Sequence, residues 1–214
     1  IYLGPGRTDK VLVYDLKGNY LPDEVIRFGE IVHKSQIWVD YDKKNVVVVT
    51  LPFSANVNSN FAISKNVCWV QNREGDIVHR IPVNHYGLIG DYSNALVARR
   101  NVDAISFSIS EVPMLRTRPD TLYHYDAVKN IITPCFTIDH VVSENQSACT
   151  VLYETSRSYW AQVTLYPNNL SSSVSSVRLP AFNVCVSKKD GNVRRIDRFT
   201  DPLLGLSLIH ISEP

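Results

Sequence analysis

The chain has 214 residues, enough for one large domain or two small ones, and its 22 Lys and Arg against 21 Asp and Glu leave a net charge of +1. Balanced charge excludes the concentrated positive surface that tracks a phosphate backbone, so nucleic acid is not an expected partner. No run of about 18 apolar residues occurs, so no segment of this sequence is expected to cross a membrane as a helix.

Val, Ile and Thr total 53 residues against nine Ala, a composition that suits a pleated surface and loses rotamer freedom in a helix. From the start, LGPGR (Leu3–Arg7) has glycines but no following Lys-Ser/Thr, so it reads as a turn and not a phosphate loop. A hairpin-like phrase, an apolar run, a polar turn and a second apolar run, then recurs along the chain. Its first copy is VLVYDLKGNYL (Val11–Leu21), within a predicted outer hairpin Lys10–Ile26. Strands are predicted next at Ser35–Tyr41, Asn45–Leu51, Phe61–Val70 and Asp76–Val83, which carry IWVDYDKKNVVVV and VCWVQNREGDIV. A second group follows at Asn94–Ala98, Val102–Ile109, Thr121–Tyr125 and Ile131–Asp139, in which Leu122–Tyr125 is expected to pair antiparallel with Ile131–Phe136. A third group takes Ala148–Glu154, Tyr159–Tyr166, Leu179–Ser187 and Asn192–Phe199. Gly18, Asn45, Gly75, Asn130 and Gly191 sit where the turns need a positive φ.

Groups of four strands at a period of about 55 residues fit propeller blades and are too long for hexapeptide or leucine-rich solenoids. The expected fold is therefore all-β: a partial β-propeller of about three and a half four-stranded blades. The expected division is a half blade at 1–29, blades near 30–84, 85–140 and 141–205, and a tail at 206–214. Met114 is the only methionine, so Ile1 is not expected to be the natural start and any signal peptide or lipid-anchor cysteine would lie upstream of it; the whole protein is expected to be a monomer.

RTRPDTLYHYDAVKNIITPCFTID (Arg116–Asp139) resembles one blade of a six-bladed β-propeller family with NHL-like blades, with Asp120, Thr121, Leu122, Tyr123 and Asp139 matching its pattern. VSKKDGNVRRIDRFTDP (Val186–Pro202) resembles the same family's late-blade phrase, and VLVYDLKGNYL its general blade hairpin. The family is abundant among secreted and lipid-anchored proteins of gut Gram-negative anaerobes. The resemblance implies a propeller and an extracytoplasmic address, in the periplasm or anchored at the outer membrane, and implies no shared chemistry. LSLIHISEP (Leu206–Pro214) resembles a translated sequencing adapter and is set aside from fold reasoning.

Candidate chemistry is sparse. Cys68, Cys135, Cys149 and Cys185 form no CxxC, and His33, His79, His85, His124 and His140 show no HxH or HExxH spacing, so no metal site and no cofactor are expected. Asp40 and Glu154 fall on first strands, which line a propeller's channel, and read as polar wall residues solvated by water. The loops 52–60, 84–93, 110–120, 140–147 and 167–178 are long, whereas the turns at the opposite edge are short. Binding residues concentrate on long loops carried by a rigid scaffold. The candidate ligand-binding residues are therefore Tyr86, Tyr92, Arg116, Arg118, His140 and Asn168, with Lys43, Arg73 and Lys188 read as bystanders on short solvated turns. The expected function is a non-enzymatic binding or interaction propeller for an unidentified ligand, carbohydrate or protein. Its alternatives are a hydrolase or lyase acting on carbohydrate and a structural scaffold.

Overall fold

The structure, a computed structural model, describes residues 2–3, 7–40, 45–53, 65–89, 94–101, 104–111, 118–139, 146–167 and 180–196. Its strands in chain order are β1 (Tyr2–Leu3), β2 (Arg7–Val13), β3 (Ile26–His33), β4 (Gln36–Asp40), β5 (Asn45–Val49), β6 (Asn66–Gln71), β7 (Ile77–Pro82), β8 (Ala95–Arg100), β9 (Ile105–Ser110), β10 (Asp120–Asp126), β11 (Ile131–Ile138), β12 (Gln146–Glu154), β13 (Ser158–Pro167), β14 (Ala181–Ser187) and β15 (Val193–Ile196). Helical geometry among the described residues is confined to single 3-10 turns at Pro22–Glu24 and Asn84–Tyr86, and no helix there is long and apolar enough to cross a membrane.

The strands make four sheets in which every pairing is antiparallel and joins neighbours in the chain: β1-β2-β3, β4-β5-β6-β7, β8-β9-β10-β11 and β12-β13-β14-β15. The three predicted four-strand groups thus emerge as three four-stranded meanders. The Arg116–Asp139 run contains the expected hairpin, with Leu122 opposite Phe136 and Tyr125 opposite Ile132. The first sheet differs from expectation. Among the described residues, no strand pairing follows the Asp15–Asn19 turn beyond a bridge between Tyr14 and Tyr20; within the turn the Asp15 N–H donates to the Asn19 carbonyl and the Asp15 carboxylate accepts the backbone N–H groups of Lys17 and Asn19. The long partner of β2 is β3, which runs across residue 29 to His33, while Tyr2 and Leu3 pair with Val13 and Leu12 on its other side.

Turn chemistry follows the sequence at four of five positions: φ is +86° at Gly18, +102° at Gly75, +70° at Gly191 and +55° at Asn130. Asn45 is the exception. It opens β5 opposite Asp40 without a positive φ.

Each apolar cluster draws on consecutive sheets. Val11, Ile26, Phe28 and Val32 of the first sheet meet Val46, Val48 and Trp69 of the second. Val49, Val67 and Cys68, from the other face of the second sheet, meet Ile105, Phe107, Ile109 and Tyr125 of the third. Leu122 of the third meets Ala148, Leu152, Ala161 and Val163 of the fourth. A strand inside this stack is buried on both faces, and β9 shows how its sequence copes. All six residues of Ile105-Ser-Phe-Ser-Ile-Ser110 are buried. The Ile and Phe side chains enter the cluster shared with the second sheet, and the serines turn toward β12. Ser108 Oγ donates to the Leu152 carbonyl at 2.7 Å and accepts from the Leu152 N–H at 3.1 Å. Asp120 Oδ2 accepts the Thr150 N–H at 2.8 Å. β12 is the edge strand of its sheet, and these side chains satisfy backbone groups that an edge otherwise leaves bare.

Candidate functional site

Where the third and fourth sheets meet, several strand ends converge on an open cleft of about 850 Å³. Its lining is Arg100, Asn101, Ala104, His124, Glu154, Thr155, Ser156 and Lys188. The chain delivers these groups from four places. Arg100 ends β8 and Asn101 follows it, held by an Asn101 N–H to Ala104 carbonyl bond. His124 lies within β10, two residues from Leu122, so strand alternation sends both toward β12. Glu154 ends β12, and the turn after it is closed by the Thr155 N–H donating to the Ser158 carbonyl at 2.9 Å. Lys188 follows β14, fixed by its own N–H donating to the Arg157 carbonyl at 3.0 Å.

Glu154 is the hub. Its side chain is 4% exposed, and a buried carboxylate is tolerated only when charge and hydrogen bonds replace water. Lys188 Nζ pairs with Oε1, while Oε2 accepts from Asn101 Nδ2 at 2.9 Å and lies 2.6 Å from His124 Nε2. Burial pushes the carboxyl up, but the bonds and charges of Lys188 and His124 outweigh it and hold the group below its ordinary value. The ammonium of Lys188 also lies over the Tyr159 ring, 4.9 Å from its centre. Tyr159 in turn stacks on Phe136 with ring centres 4.5 Å apart. The Arg100 guanidinium lines the cleft without an ion-pair partner among the described residues.

Beside this group lies Cys135, and its position depends on an irregularity in β11. Leu122 opposes Phe136, yet Tyr123 opposes Pro134, so Cys135 is the extra residue of a β-bulge. Alternation would send Cys135 and Phe136 to opposite faces; instead both pack toward the cluster shared with β12–β15. The thiol donates to the Leu122 carbonyl at 3.3 Å. Burial, then the adjacent charge of Glu154, push it up to about 12, with Lys188 opposing. Ligand atoms of His124, Cys135 and Glu154 all lie within 4.8 Å of one another.

The residues proposed from the sequence are distributed otherwise. Tyr86 is buried, edge-on to Tyr123 with ring centres 5.6 Å apart, in the cluster shared by the second and third sheets. Arg118 donates to the carbonyls of His85 at 2.7 Å and Tyr86 at 2.8 Å and lies 3.8 Å from Glu111, so it braces the segment that carries Tyr86. Tyr92, Arg116, His140 and Asn168 lie outside the described residues, as do most of the long loops and Lys43. Three readings are corrected. Glu154 is not a water-solvated wall residue but a buried, fully bonded carboxylate. Lys188 is its ion-pair partner, and Arg73 pairs with Glu24, so neither side chain simply points into water from its turn. The cleft thus stands at the edge formed by short turns, where loop length gave no signal.

No family model matches the chain, and no curated protein or solved structure shows significant similarity to it.

Proposed function

We propose that the four meander sheets are successive blades of a β-propeller, and that the protein is an exported, non-enzymatic binding module for a uronate-bearing saccharide held in the short-turn cleft. Blade-like succession is supported by the packing of each sheet face on the next in chain order. Export rests on the resemblance carried by Arg116–Asp139 and Val186–Pro202. The observation that carries the binding reading is the charge balance of the cleft. Among its described lining residues the one carboxylate, Glu154, is neutralised internally by Lys188, which leaves the Arg100 guanidinium to meet a ligand anion. Asn101, Thr155 and Ser156 supply the amide and hydroxyl groups that bind sugar hydroxyls. Binding is favoured over hydrolysis because a carboxyl held ionised makes a poor general acid, and a two-carboxylate hydrolase needs a second acid about 5–9.5 Å away.

The test is calorimetric titration with an oligogalacturonide, its methyl-esterified neutral form and an acidic peptide of equal charge. The charged saccharide should bind, the neutral form should bind about tenfold more weakly or not at all, and Arg100→Ala should cost a similar factor, the worth of one charge-assisted hydrogen bond. Equal binding of the neutral form, preference for the peptide, or no binding of the saccharide would each reject this reading.

A further inference from the structure

We propose that His124, Cys135 and Glu154 form a zinc site on the floor of the cleft, with its fourth coordination position open to a ligand carboxylate. The site uses the same cleft as the binding reading above but stands on its own geometry. One nitrogen, one sulfur and one oxygen ligand converge from three strands of two sheets, within 4.8 Å of one another. That donor set suits Zn²⁺, which accepts imidazole, thiolate and carboxylate at about 2.0–2.3 Å in tetrahedral geometry. Three protein ligands plus an open position is the arrangement of zinc sites that take water or a substrate on the metal, whereas closed structural sites use four.

Two further features point the same way. The bulge in β11 exists at Cys135 and turns it to the face that carries His124 and Glu154, where regular pleating would put either Cys135 or Phe136 but not both. Bulges recur where a strand must re-aim a side chain toward a site. The second feature is Lys188. Its ammonium pairs with Glu154 and lies over Tyr159, so the pocket attracts positive charge. On zinc binding, the proton of the 2.6 Å Nε2–H···Oε2 hydrogen bond leaves to solvent, the imidazole carries its remaining proton on Nδ1, and the metal takes the freed His124 Nε2 lone pair and Glu154 Oε2. The Cys135 thiol gives up its proton to solvent, its hydrogen bond to Leu122 is lost, and the thiolate binds the metal. Asn101 remains on Glu154 as the group that orients the ligating carboxylate.

The probe is Co²⁺, which replaces zinc and reports its ligands spectroscopically. The chelator-stripped chain, with folding verified by circular dichroism, is titrated with Co²⁺. One equivalent should produce a thiolate-to-cobalt charge-transfer band together with visible bands of tetrahedral intensity, and Zn²⁺ should abolish both. Cys135→Ser, a near-isosteric change, should remove the charge-transfer band, while Cys68→Ser, Cys149→Ser and Cys185→Ser should retain it. His124→Gln should weaken cobalt binding about tenfold or more. Lys188→Met, which removes the competing ammonium, should strengthen it. Absence of the band in the folded parent chain, its persistence in Cys135→Ser, or weaker binding in Lys188→Met would overturn the proposal. If cobalt fails to bind while the stripped protein still takes the oligogalacturonide, the metal site falls and the binding reading survives. The converse result separates them the other way.

Discussion

Replacing Glu154 with Gln isolates what the hub contributes. The substitution keeps the shape, one carbonyl acceptor and the packing, and removes the charge that holds Lys188 and His124. Truncating one member of a buried ion pair costs about 3–5 kcal/mol when the other is stranded, and each hydrogen bond to a charged group is worth about 1.5–3 kcal/mol. Here the partners are not stranded: the side chains of Lys188 and His124 are 27% and 33% exposed and regain water when the carboxylate goes. The expected loss is therefore about 2 kcal/mol in urea denaturation at neutral pH. A cycle with Lys188→Met should show a coupling of about 1 kcal/mol. The pH dependence follows from the direction of the shift. Because the folded carboxyl titrates below its ordinary value of 4.5, its stabilisation is complete above that value and drains away as pH falls through the lower, folded one. The deficit of the Gln variant should thus be full at neutral pH and shrink on acidification. Parity with the parent at neutral pH within about 0.5 kcal/mol, or a deficit unchanged by acid, would refute this account of the hub.

Two other perturbations probe the seams between sheets. A methyl group added at Gly29 would collide with the Gly75 carbonyl oxygen and stand 2.9 Å from Ile77 Cγ1, so Gly29→Ala should lower stability by about 1–3 kcal/mol through overpacking between the first and second sheets; an unchanged melting temperature would show that the sheets separate at no cost. Ser108→Ala deprives both backbone groups of Leu152 of their side-chain partner. A loss of about 1–3 kcal/mol is expected, with faster hydrogen exchange at the Leu152 amide, and unaltered exchange there would contradict the edge-protection argument.

Strand period and turn residues carried most of the fold. The runs around Gly75, Asn130 and Gly191 became hairpins because alternating β-branched residues and a positive-φ turn residue demand the same local geometry. The first sheet was less legible. VLVYDLKGNYL has the alternation of a hairpin, but after Gly18 its return strand is interrupted by Pro22, which opens a 3-10 turn and lacks a ladder donor. The pairing role then passes to Ile26–His33, which carries Phe28 and Val32 into the core. In β9 the serines alternate like a solvent face and are nevertheless buried. Nothing local distinguishes a serine that meets water from one that meets the backbone of another sheet; the difference is set by the partner alone.

The cleft was hidden for a related reason. Sequence reasoning weighted loop length, which measures tolerance to insertion as much as function. A site built on strands and short turns of three to five residues leaves no such trace. Of its parts, the side toward which His124 points could be read by counting two residues from Leu122, and Glu154 stood out as the one charged residue of its strand. Cys135 could not be placed, since regular alternation with Phe136 assigns one of the two to the wrong face, and only the register slip between Leu122 and Tyr123 reconciles them. A Pro at 134 within a strand hints at a bulge, because it withholds a ladder N–H. It does not say which neighbour is displaced, and that depends on Phe136 finding Tyr159 at 4.5 Å on the next sheet. The stacking fixes the register, the register creates the bulge, and the bulge carries the sulfur to the imidazole and carboxylate. The chemistry of this cleft is thus a consequence of how two sheets pack, which explains why three separated residues gave no motif along the chain.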